Sequence, residues 1–117
     1  MTNDYIHNLW KHIVSELSKA KDIQTVRRKT AGGIWFSAHS ESGSVVIINE
    51  AKIKKPSAKL NCLRAIDERE FSEVYPHYQP WKEGKIQRQS MRDLSQNTSY
   101  ILALINRFEK DNHGGLI

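Results

Sequence analysis

At 117 residues, 38% hydrophobic and 26% charged, with a net charge of +5, the chain has the size and composition of one globular domain. Those figures exclude a low-complexity or disordered chain and leave too little length for two ordinary domains. They provide for one core without staples, since a domain of this size buries over roughly 60% of its unfolded surface.

Residues 3 to 19 read as an amphipathic helix: Ile6, Leu9, Trp10, Ile13 and Leu17 recur at three- and four-residue steps and form one apolar stripe. Thr2 or Asn3 suits its cap, and Asp4 suits the positive end of its dipole. Three strands are expected next. Ile23 to Lys29 is the first, followed by a turn at Thr30-Ala31-Gly32-Gly33. The second, Ile34 to His39, puts Ile34, Phe36 and Ala38 on one face, and Ser44 to Glu50 returns after a polar loop containing Gly43.

Pro56 stops any extension of the third strand. Residues 59 to 66 alternate as a strand through Leu60, Cys62, Arg64 and Ile66, with a helical turn as the alternative. Asp67 and Glu70 have the spacing of a capping box and open a short helix through Phe71, Val74 and Tyr75. Pro76 is expected to end it, with Pro80 and Gly84 keeping the chain irregular to residue 85. A last helix, capped by Ser95 or Asn97, carries Tyr100, Ile101, Leu104, Ile105 and Phe108 on its apolar face. The expected architecture is a single α+β domain over residues 1–117: an N-terminal helix, an antiparallel sheet of three to five strands, a short helix, and a C-terminal helix packed on the sheet. Its expected core holds Trp10, Ile13, Leu17, Phe36, Ile47, Ile101, Leu104, Ile105 and Phe108.

Cys62 is the one cysteine. It excludes an intrachain disulfide, reads as a small buried hydrophobe between Leu60 and Leu63, and points to a reducing compartment. Met1 to Tyr5 offers neither the basic nor the apolar region of a secretory leader. The longest apolar run, Tyr100 to Ile105, falls far short of a membrane span. The expectation is a cytoplasmic protein with no membrane partner.

The five histidines show no H-x-x-x-H or H-E-x-x-H spacing, so no metal site or cofactor is expected. There is no P-loop, dinucleotide fingerprint or G-x-S-x-G elbow. Val45 to Lys52 resembles the strand of restriction-type nucleases, which end a hairpin strand with an acid-x-Lys pair holding Mg²⁺ and orienting water. Here the pair is Glu50 and Lys52. The preceding strand, however, offers no aspartate, and Lys54-Lys55-Pro56 blocks the helix that usually follows.

The charge comes in blocks. Lys52, Lys54, Lys55, Lys59 and Arg64 form a basic stretch without acids, Asp67 to Glu73 is acidic, and Lys82, Lys85, Arg88 and Arg92 are basic again. Arg27-Arg28-Lys29 adds a third basic group. Lysine and arginine neutralise phosphates, and aromatic rings stack bases. Lys52, Lys54, Lys55, Tyr78, Trp81, Lys82, Lys85, Arg88 and Arg92 are therefore the candidate nucleic-acid-binding residues. Tyr78 and Trp81 also share a helical spacing with Phe71, Val74 and Tyr75, which suits rings turned onto the sheet.

The stretch Phe71 to Trp81, Gly84 and Asn97 to Leu102 resembles small accessory proteins of bacteria carried on mobile gene cassettes. The resemblance spans about a third of the chain, contains no functional motif and implies no activity. The sequence favours a non-enzymatic binding protein with a basic surface, its partner DNA or RNA. The alternatives are a protein-interaction module or homo-oligomer, and a Mg²⁺-dependent nuclease using Glu50 and Lys52.

Overall fold

A computed structural model describes residues 3–26, 33–60 and 63–115. The chain order is α1 (Asn3–Glu16), β1 (Lys21–Gln24), β2 (Trp35–Glu41), β3 (Val45–Glu50), β4 (Arg64–Ile66), α2 (Glu68–Lys82), a 3-10 helix (Arg88–Leu94) and α3 (Thr98–Gly115). The four strands form one antiparallel sheet in the order β1-β2-β3-β4. This is the expected α+β architecture. The Arg27-Arg28-Lys29 group and Cys62 lie outside the described residues.

The α1 stripe is fully committed to the core: Leu9, Ile13 and Leu17 are completely buried, with Ile6 and Trp10 nearly so. Trp10 meets Phe71 of α2 with ring centroids 5.0 Å apart, and Phe36 of β2 meets Tyr100 of α3 edge-on at 5.0 Å. The three long helices thus share one core on one face of the sheet. The β2–β3 hairpin turns at Ser42 and Gly43, both with positive φ, which suits the right-handed twist of the strands.

In β3, Val46 and Ile48 are the core residues, while Ile47 is half-buried on the opposite face. The expectation for Ile47 is corrected because Val45 to Ile48 are all apolar and β-branched, so the run contains no alternation to set its phase. Ile34 is 37% exposed and precedes the strand, leaving Phe36 and Ala38 as the inward residues of β2. Among the described residues of the expected strand over 59 to 66, Arg64–Ile66 pair with β3.

The larger correction is α2. It runs unbroken through Pro76 and Pro80 to Lys82 rather than ending at the first proline. Asp67 caps its start, accepting from the Glu70 N–H at 2.8 Å. The Glu70 carboxylate, which would complete a capping box, instead accepts from the Asn97 side chain at 2.9 Å and from Ser95, joining α2 to the entry of α3. An interior proline costs about 3 kcal/mol. Phe71, Val74, Tyr75, Tyr78 and Trp81 are all buried on one helix face, each contributing about 1.5–3 kcal/mol. Five such side chains outweigh two prolines. Pro76 is exposed and Pro80 only half-buried, so the freed carbonyls lie on the wet side of the helix.

Candidate nucleic-acid interface

Between β3 and β4 the chain leaves the sheet as a loop, then returns at Ser57 to bridge β2 at Trp35. Trp35 N–H donates to the Pro56 carbonyl at 2.8 Å, and Ala58 N–H to the Trp35 carbonyl at 2.7 Å. The loop is held from below by Asp22 of β1. Ile23 is buried, so Asp22 projects from the opposite face of the strand. Its carboxylate accepts three successive backbone N–H bonds, from Lys52 at 2.9 Å, Ile53 at 2.7 Å and Lys54 at 2.9 Å. Burial pushes this carboxyl upward, but the three N–H bonds and the Lys52 charge outweigh that and hold it below the ordinary carboxylate value.

Clamped in this way, the loop displays Lys52, Ile53, Lys54 and Lys55, all exposed. Lys54 Nζ lies 5.7 Å from the centroid of the Trp35 ring, within cation–π range. Trp35 in turn forms one wall of a cleft of about 330 Å³ that follows β1 from Asp22 to Val26 and is closed on its other side by Asn106 and Arg107 of α3. Gly33 lets the chain approach β1 here: a Cβ at that position would lie 2.8 Å from the Thr25 carbonyl oxygen and closer still to its hydroxyl.

Of the second basic block, Lys82 is linked to a wall residue of the cleft through α2. Lys82 Nζ donates to the Tyr78 hydroxyl at 3.2 Å, and that hydroxyl donates to Asn106 Oδ1, also at 3.2 Å. Lys82 is therefore two hydrogen bonds from the cleft wall. Tyr78 and Trp81 are each 5% exposed, so their rings belong to the core and are not presented for stacking. Lys85 is paired with Glu83 at 3.1 Å. Arg88 and Arg92 lie in the 3-10 helix, and their side chains fall outside the described residues. Among the described residues, Lys52, Lys54, Lys55 and Lys82 make no salt bridge.

Glu50 ends β3 with its carboxylate accepting from the Leu60 N–H at 3.1 Å. No three metal-ligating side chains gather anywhere among the described residues. The described helices include none long and apolar enough to cross a membrane.

Sequence reasoning missed Asp22, Trp35, Asn106 and Arg107. Trp35 was legible in principle, since a strand with Phe36 and Ala38 inward must turn the residue before Phe36 outward. Asn106 and Arg107 carry no comparable mark, being two polar residues off the apolar stripe of a helix. The chain matches no protein-family model, and neither the curated proteins nor the solved structures compared with it give a match.

Proposed function

We propose that this protein binds nucleic acid through the cleft between β1, the loop at 52–55 and α3. One observation carries the reading: one basic residue lines a concavity, and two from other stretches of the chain contact or approach its wall residues. Lys54 lies against its Trp35 wall, Arg107 lines it, and Lys82 approaches through Tyr78 and Asn106. Converging cations are what phosphate neutralisation requires, and the net charge of +5 adds long-range attraction.

Trp81 is buried and so does not itself offer the exposed apolar surface that would have favoured a protein partner. Asp22 and Glu50 both accept main-chain N–H bonds, which favours binding over metal-assisted cleavage. A gel-shift series against DNA and RNA at two salt concentrations tests the reading. Affinity is expected to fall with salt at a log–log slope of about −0.9 per phosphate on duplex DNA. Removing Lys54 and Lys55 together is expected to flatten that slope by about two units. Binding that ignores both salt and the double substitution rejects the proposal.

A further inference from the structure

We infer that the cleft beside β1 receives one unpaired base, so that the nucleic acid bound is single-stranded. The inference rests on the nucleic-acid reading above and narrows it. At about 330 Å³ the cleft lies at the small end of the ~300–1,000 Å³ range of ligand pockets, suited to one planar ring system and its sugar. A duplex keeps its bases stacked inside and presents phosphates, so it would meet the lysines and leave the cleft empty.

The walls have the chemistry a base needs. Trp35 supplies an aromatic wall, and Lys54, which lies over its ring at 5.7 Å, would give up that face to a stacked base and turn to the adjoining phosphate. The strand itself supplies polar groups. Thr25 N–H donates to the Ile34 carbonyl at 2.9 Å, and Ile23 pairs with Phe36. In an antiparallel ladder this parity turns the N–H and C=O of Gln24 away from β2, toward the cleft. Among the described residues that outward pair has no partner, and a donor and acceptor side by side match the edge of a base.

The test uses the whole chain with a labelled homopyrimidine single strand and the corresponding duplex, both at one salt concentration. The single strand is expected to bind at least about tenfold more tightly, because the duplex cannot place a base in the cleft. Trp35→Leu should weaken the single strand about 5- to 150-fold, the equivalent of one stacked base, and leave the duplex within about twofold. Asn106→Asp retains the acceptor for Tyr78 while adding a negative charge to the wall, and it should weaken the single strand even if Trp35→Leu folds poorly. Tryptophan fluorescence adds a readout: Trp10 and Trp81 are 2% and 5% exposed, so quenching by direct stacking falls on Trp35 and should disappear in Trp35→Leu. If the duplex binds equally well, or Trp35→Leu and Asn106→Asp leave single-strand affinity unchanged while loss of Lys54 and Lys55 still weakens it, the base pocket is wrong and the phosphate reading survives. If neither nucleic acid binds, the broader reading fails and takes this inference with it.

Discussion

Replacing Asp22 with asparagine keeps the shape of the side chain and removes its charge, leaving one good acceptor for three N–H groups. The expected cost is about 1–3 kcal/mol, because donors facing the lost oxygen are only partly rehydrated. The pH dependence has a definite sign. The folded carboxyl sits below its ordinary value, so its stabilisation is complete above about pH 4 and is lost as pH falls through the folded value. Thermal melts of the native protein and Asp22→Asn should therefore differ near neutrality and converge under acid. A gap that stays constant down to the lowest accessible pH would show that the charge is immaterial. In the core, Leu104 is completely buried, and Leu104→Ala should cost about 2–5 kcal/mol by denaturant unfolding. A loss under about 1 kcal/mol would mean that the site collapses onto itself or that α3 faces elsewhere.

Among the elements, α2 shows how far local rules reach. Both prolines are correct as helix breakers taken singly, yet the five-residue apolar face that overrides them was equally visible at positions 71, 74, 75, 78 and 81. Weighing the two needs the depth of burial, which only the packed molecule supplies. The helices α1 and α3 were legible because periodicity, capping and composition agree there. β3 existed plainly in the sequence, but its phase did not, since four consecutive β-branched residues suit either face. The site was the least legible part, as Asp22, Trp35 and Asn106 become neighbours only through strand pairing and helix placement. If α2 does hold its prolines against an energetic cost, Pro76→Ala should raise the melting temperature, by an amount worth about 1–3 kcal/mol. Unchanged or lowered stability would show that the proline is accommodated without strain.

For the molecule as a whole, the balance between cations and their partners decides the outcome. Surface pairs such as Arg69 with Glu73 are worth little individually and keep those charges from contributing much to a long-range field. If the proposed polyanion binds, it would meet Lys52, Lys54, Lys55 and Lys82, which make no salt bridge among the described residues, together with Arg107 of the cleft. Reversing the charge at Lys54 and Lys82 together should therefore cut the association rate more than single changes elsewhere on the surface, and the effect should shrink as salt approaches about 1 M. Equal rates for the double variant and the native protein in stopped-flow mixing at low salt would place the electrostatic entrance on another face.

The clamp at Asp22 grips the main chain of residues 52 to 54, and of their side chains only the Lys52 charge assists it. The loop is in this sense a mount whose shape depends little on what it displays. Lys54 and Lys55 can be exchanged for glutamates, and Ile53, 82% exposed, for a polar residue, with the three main-chain bonds to Asp22 retained. The charge this surface presents can therefore be rewritten at Lys54 and Lys55 while the main chain keeps its path.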